Sequence, residues 1–312
     1  RVALSYFTRS LDHQITRSQD GKMNTFKHTT PFSLECGEVL PEIDIAYHTY
    51  GEKAEDDSNV IWICHALTAN SDVREWWGDL LGPGKLFDTD KYFIVCANML
   101  GSCYGTTGPH SHNPSDHIAY GYKFPAITIR DIVKVHLLLL KYLNIDELAL
   151  LMGGSCGGHQ CLEMALAIPE QVQHLGLLVT SARETAWAIS IHEAARMALE
   201  TDASFRENYD RAGAKGLKTA RGLALLAYRT IQSYIDRQTD TDITKTDDFK
   251  AASYVRYQGT KLERRFYAHA YYCLLNALDT QRQNLFKELD AVIHLLMEAK
   301  HWGLRKSRNA TS

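Results

Sequence analysis

Four short, near-continuous apolar stretches limit what this chain can fold into: NVIWICHAL at 59–67, YFIVCANML at 92–100, ELALLMGG at 147–154 and LGLLVTSA at 175–182. Apolar runs of this length without polar alternation fit strands covered on both faces. TIRDIVKVHLLLLKYLN at 128–144 has helical periodicity and leads into the third of them. Such strands separated by helices predict a mostly parallel α/β sheet. Ahead of them, residues 32–50 alternate at Ile43, Ile45 and Tyr47 around one proline, which predicts an antiparallel hairpin.

After residue 183 the character changes. ETAWAISIHEAARMALE, AKGLKTARGLALLAYRTIQSYI and KLERRFYAHAYYCLLNALD each read as an amphipathic helix, with no strand between them. The expected organisation is therefore a core over 23–182, a helical insertion capping the sheet over 183–278, and a divergent helix and tail over 279–312. Residues 1–22 read as a non-native or disordered extension, with Met23 as the expected start.

A length of 312 residues suits one large domain or a domain with an insertion. The net charge of −3 and the lack of any Lys/Arg block argue against a nucleic-acid partner. The longest apolar runs are too short to span a bilayer, and the first 22 residues hold no secretory apolar segment. The seven cysteines include no C-x-x-C pair, and Cys64, Cys96 and Cys161 sit in apolar segments. They read as reduced core residues of a cytoplasmic protein.

The chemistry is expected at Ser155. Residues 153–157 fit G-x-S-x-G between an apolar strand and a helix, the setting of a nucleophile elbow. Small neighbours let the chain turn sharply, and backbone N–H groups at the new helix's start can face an oxyanion. Cys156 competes as a thiol nucleophile, but only the central residue of an elbow projects into the cleft, so its backbone N–H is its expected contribution. WICHALTANS leaves an earlier strand, where an α/β-hydrolase sheet supplies its other oxyanion donor. Leu67 N–H is the expected donor, and His65 is the alternative role-bearer as a proton acceptor.

The segment CHALTANSDVREWWGDLLGPGKLFDTDKYFIVCANMLGSCYGTTGP at 64–109 resembles the homoserine O-acetyltransferase family. That family carries H-A-L-T, W-W, G-P-G-K, D-T-D-[KR]-[YF] and G-T-T-G-P in this order. The elbow is similar to its G-G-S-x-G-G, followed by a Q-x-L-E helix. Segments 216–230 and 257–280 are similar to its helical lid. The resemblance implies an α/β-hydrolase fold with a lid, and transfer of an acetyl group from acetyl-CoA to L-homoserine through acyl-Ser155. It implies Leu67 and Cys156 as oxyanion donors, no cofactor beyond acetyl-CoA as cosubstrate, no metal, and a homodimer. Arg221 and Tyr228, seven residues apart on one helix face, match lid positions facing the substrate; a guanidinium suits the carboxylate of homoserine.

The resemblance stops after about residue 280. The family's D-x-L-F-P strand, source of the triad acid, and its G-H motif, source of the base, are not found. Asp290, His294 and His301 lie in one helical stretch over 283–302, and one short helix cannot replace two strand ends. The triad acid and base are therefore left unassigned, and the expectation is a truncated or altered copy with C-terminal strands missing and impaired activity. A succinyl donor, an esterase-like hydrolase and a catalytically dead ligand-binding fragment stay open as alternatives.

Overall fold

The computed structural model describes residues 21–281. Strands β1 (Asn24–His28), β2 (Phe32–Ser33), β3 (Val39–Leu40), β4 (Ile43–Tyr50) and β5 (Val60–Cys64) come first, then the short helix α1 (Arg74–Trp77). There follow β6 (Phe93–Ala97), α2 (Ile129–Tyr142), β7 (Leu150–Gly154), α3 (Cys156–Ala167) and β8 (Leu175–Leu178). Five helices close the described chain: α4 (Ala186–Glu200), α5 (Ala214–Tyr228), α6 (Ile231–Gln238), α7 (Lys250–Glu263) and α8 (Ala268–Asp279).

The main sheet runs β1-β4-β6-β5-β7-β8. The last four positions, β6, β5, β7 and β8, are mutually parallel, and β4 is antiparallel to both β1 and β6. Each apolar stretch thus supplies one parallel strand. From β5 the chain goes first to β6 on one side and then to β7 on the other. Residues at the carboxyl ends of β5 and β7 therefore border a shared crevice.

Alternation inside the apolar runs divides them between two cores. Val60, Trp62 and Cys64 face the larger one with α2 and α3; Ile61, Ile63, Ile94 and Cys96 face a smaller one with Val73, Leu81 and Phe87. Both faces of β5 and β6 are buried, which is why these strands carry no polar positions. Helix α2 begins on a capping box, with Thr128 accepting from the Asp131 N–H.

Several expectations need correcting. Strand β7 is fully buried at alternate positions only, because residues 73–87 cover the second face at β5 and β6 while Leu150 and Met152 are half-covered. Strand β8 ends at Leu178 and is half-exposed to exposed, not buried on both faces. It lies at the sheet edge with no outer neighbour among the described residues. The 32–50 region is not one hairpin: β2 pairs with β3, while β4 joins the main sheet. Strand β1 carries no strong apolar signal and is recruited by pairing with β4.

Beyond residue 183, α4 packs on α5, and α5 on α7. The segment 214–235 is two helices: Arg229 is extended and Thr230 caps a new start by accepting from the Ser233 N–H. The segment 261–279 is also split, with Tyr267 extended ahead of α8. All seven cysteines are free thiols. No helix among the described residues is long and apolar enough to cross a membrane. The expected helix at 283–302 lies outside the described residues.

The β8 edge generates a prediction. Leu177 and Leu178 are exposed, and Val179 is 96% exposed, beside a strand with no outer neighbour among the described residues. Such an edge is a template for strand pairing between molecules. Val179→Lys is expected to lower the aggregation rate several-fold by light scattering, with the far-UV circular dichroism unchanged. An unchanged rate would show that this edge is not the site of association.

Candidate active site

Ser155 stands between the last residue of β7 and the first of α3, with φ 54° and ψ −125°. Positive φ is strained for a residue with a Cβ. Four hydrogen bonds hold it there. Its N–H donates to the Leu178 carbonyl at 2.9 Å, and its carbonyl accepts from the N–H groups of Gly158 (2.8 Å) and His159 (3.3 Å). The Thr180 hydroxyl also donates to that carbonyl, at 3.0 Å. The serine itself is exposed, although its helix neighbours are buried.

Two glycines make this turn possible through close approach. A Cβ on Gly153 would lie 2.4 Å from the Gly157 carbonyl oxygen. One on Gly157 would lie 2.1 Å from the Cys64 carbonyl oxygen. The start of α3 therefore rests directly on the end of β5, next to the loop that carries Leu67.

That loop is held from both sides. Gln160 Nε2 donates to the His65 carbonyl at 3.2 Å and to the Cys156 carbonyl at 3.1 Å. Arg265, between α7 and α8, donates to the Thr68 carbonyl and to the Tyr104 hydroxyl at 2.9 Å. The N–H groups of Leu67 and Cys156 have no hydrogen-bond partner among the described residues. Two free N–H groups beside an exposed serine are what a developing oxyanion requires.

The rival roles fare differently. His65 is fully buried; its Nε2 accepts from the Met99 N–H at 3.3 Å and its Nδ1 bonds the Ala66 carbonyl at 2.9 Å. Both ring nitrogens are engaged, so His65 shapes the loop and has no lone pair for the serine. Cys156 is buried, and burial pushes its thiol up to about 12, which leaves no thiolate at neutral pH.

Arg221 and Tyr228 come together on α5, with the guanidinium carbon 5.5 Å from the ring centroid. No carboxylate pairs with Arg221 among the described residues. Tyr228 is more than half exposed along its ring, yet burial of its hydroxyl raises the pKa and the Arg221 charge opposes that rise. A separate cavity of about 230 Å³, lined by Tyr122, Phe124, His269 and Tyr272 among others, includes none of the elbow residues.

No imidazole hydrogen-bonds the Ser155 hydroxyl among the described residues. Asp290, His294 and His301 lie outside them. No group of three or more His, Cys, Asp or Glu side chains among the described residues is arranged to hold a metal ion. The sequence reading missed Thr180 and Gln160 as supports of the elbow and its loop. Both stand in segments whose strand or helix character was legible, but their contacts are long-range.

A mostly parallel sheet, a strained serine at a strand-to-helix elbow and two N–H groups without partners among the described residues define an α/β hydrolase. A profile of the α/β hydrolase fold matches residues 59–281. A homoserine O-acetyltransferase of Cyclobacterium marinum is 43% identical over 248 residues, covering 80% of this chain and 70% of the relative. One from Trichormus variabilis is 45% identical over 253 residues, with the same shares of 80% and 70%. The crystal structure of a homoserine O-acetyltransferase from Bacillus anthracis superposes with a TM-score of 0.77 at 24% identity, covering 83% of this chain and 76% of that one. The chain belongs to the homoserine O-acetyltransferase family.

Burial of two histidines at the elbow makes a stability prediction. His65 and His159 are both buried, and burial lowers each from 6.5 to about 4. Between these values the folded rings stay neutral while the unfolded chain takes up protons. The unfolded state then binds more protons, so the stability is complete above about pH 6.5 and is lost as pH falls toward 4. The expected slope approaches ~1.4 kcal/mol per histidine per pH unit. Thermal melts from pH 7 to pH 5, above the carboxylate range, should show a falling Tm; a flat Tm would contradict buried neutral rings.

Proposed function

We propose that this chain carries acyl-transfer chemistry from acetyl-CoA to the side-chain hydroxyl of L-homoserine, a step of methionine biosynthesis. Ser155 Oγ attacks the thioester carbonyl, and the Leu67 and Cys156 N–H groups hold the tetrahedral oxyanion. The C–S bond breaks, CoA leaves as the thiol, and acyl-Ser155 remains. The homoserine hydroxyl then attacks the acyl carbon, and the serine is regenerated. The observation that carries this reading is an exposed, strained Ser155 beside two unpartnered N–H groups, in a chain of this family. Arg221, without a carboxylate partner and stacked on Tyr228, serves the carboxylate of homoserine. Acetyl-CoA is a cosubstrate, and no cofactor is needed. We read the protein as a cytoplasmic homodimer that works without nucleic acid or membrane.

One observation favours a weaker form of this reading. With no imidazole on Ser155 among the described residues, the serine lacks a proton acceptor there. Loss of the triad histidine costs on the order of 10⁶-fold in a serine protease, with the remaining catalysis coming from the oxyanion hole and binding. The test is CoA release from acetyl-CoA by the full chain with homoserine present, with the ester product followed by mass spectrometry. The expected result is a homoserine-dependent rate far below that of the Cyclobacterium marinum relative, lost in Ser155→Ala. Turnover near the relative's would show that a base exists in this chain, and His294 and His301 would be the first two to replace. Faster cleavage without homoserine would mark an esterase, and faster turnover with succinyl-CoA would change the donor.

The Arg221 role has its own test. Arg221→Lys keeps the charge but loses the planar fork that binds both carboxylate oxygens. A charged hydrogen bond contributes ~1.5–3 kcal/mol, so homoserine binding should weaken roughly ten-fold or more while acetyl-CoA binding is retained. Equal homoserine affinity in the Lys variant would remove Arg221 from the site.

A further inference from the structure

One contact between the helical insertion and the core ends on the loop that carries the Leu67 N–H. Arg265, in the turn between α7 and α8, donates from one guanidinium nitrogen to the Thr68 carbonyl and to the Tyr104 hydroxyl, the latter at 2.9 Å. Its other terminal nitrogen lies 3.4 Å from the Thr68 hydroxyl oxygen. No carboxylate pairs with Arg265 among the described residues. The turn itself is anchored. Arg211 donates to the carbonyls of Glu263 at 2.6 Å and Arg264 at 3.1 Å. Phe266 is buried against Tyr104, with ring centroids 5.7 Å apart.

From Thr68 the contact continues through two peptide groups. The peptide whose carbonyl Arg265 holds carries the Ala69 N–H. That N–H donates to the Ala66 carbonyl at 3.0 Å, closing a turn with Leu67 and Thr68 at its centre. The Ala66 carbonyl belongs in turn to the peptide whose N–H is that of Leu67. A trans peptide is planar, with its C=O and N–H pointing opposite ways, so fixing one end aims the other. His65 Nδ1 also contacts the Ala66 carbonyl, at 2.9 Å. A cationic donor at the head of such a chain polarises both peptides in the same sense, which makes the last N–H a stronger donor.

We infer that Arg265 is a positioning residue for acyl transfer: through the Thr68 carbonyl and the Ala69–Ala66 hydrogen bond it sets the direction of the Leu67 N–H. The docking of the α7–α8 turn on the core is then part of forming the oxyanion site. Arg265 acts through the loop and touches no reacting atom. Its effect falls on rate more than on ligand binding, because the aim of the N–H matters most where the oxyanion charge develops.

This inference rests on the oxyanion role of Leu67 proposed above, and the test separates the two. The full chain is incubated with an alkyl fluorophosphonate, and the phosphonyl-Ser155 adduct is followed by intact mass. Ser155 Oγ bonds to phosphorus, the P–F bond breaks, fluoride leaves, the serine proton passes to water, and the P=O oxygen takes the oxyanion position. The concentration dependence gives a maximal rate and a half-saturating concentration. Arg265→Met keeps the stem and removes the donors; it is expected to lower the maximal rate about ten-fold or more, with half-saturation within about two-fold of the parent. Arg265→Lys, which keeps a charged donor for the Thr68 carbonyl, is expected between the two. Leu67→Pro, which lacks the N–H, is expected to be slow as well. An unchanged maximal rate in the Met variant overturns the assignment. So does a loss confined to half-saturation, which would place Arg265 on the reagent. A Lys variant as slow as the Met variant, or a Met variant that loses its far-UV circular dichroism, marks a structural role and overturns it too. A Leu67→Pro variant as fast as the parent overturns the oxyanion role of Leu67, and a parent that is not labelled overturns Ser155 as the nucleophile; this inference falls with either.

Discussion

The contact between Gly157 and the carbonyl of Cys64 is the constraint on which the site depends. The sheet fixes β5 against β7 in a register that pairs Cys64 with Gly153. The start of α3 must then cross the end of β5 at a distance that leaves no room for a Cβ, 2.1 Å from an oxygen. Any side chain at 157 would lift α3 off β5 and part Cys156 from Leu67. The two free N–H groups come from the loop after β5 and the first residue of α3, so their relation depends on this helix and strand end touching. Gln160 reinforces the contact by binding the carbonyls of both His65 and Cys156.

The strain at Ser155 depends on a different element. A non-glycine residue at positive φ costs of order 1–3 kcal/mol and persists only where its surroundings over-determine it. Here the bond from the Ser155 N–H goes to Leu178, and one of the bonds to its carbonyl comes from Thr180. Both belong to β8 or the loop just after it, the most exposed part of the parallel sheet. The nucleophile is therefore braced by an edge strand. Loosening that edge would release strain at the serine before it disturbed the cores at β5 and β6.

Legibility in the sequence followed this distribution of packing. Strands β5 and β6 were readable because both faces are buried and every residue must be apolar. For β8, Leu175, Leu177 and Leu178 look the same in sequence, yet the coverage that would bury them is not present among the described residues. The break between α5 and α6 was hidden because amphipathic periodicity continues across Arg229, and only the Thr230 cap marks the restart. Ser155, Leu67 and Cys156 could be named from local pattern and family resemblance, since glycines and strand ends leave a local signature. Thr180 and Gln160 could not, since their bonds to the Ser155 and His65 carbonyls join residues far apart in the sequence.

The same reasoning narrows where a base for the serine could come from. His65 spends both nitrogens on its own loop and on Met99. His159 is buried, with its Nδ1 3.6 Å from the Glu184 carboxylate. His192 bonds Asp279. Among the described residues, His65 and His192 are thus engaged elsewhere, and no imidazole bonds the exposed Ser155. The sheet edge beside it is also open, because β8 both braces the serine and lacks an outer neighbour among the described residues.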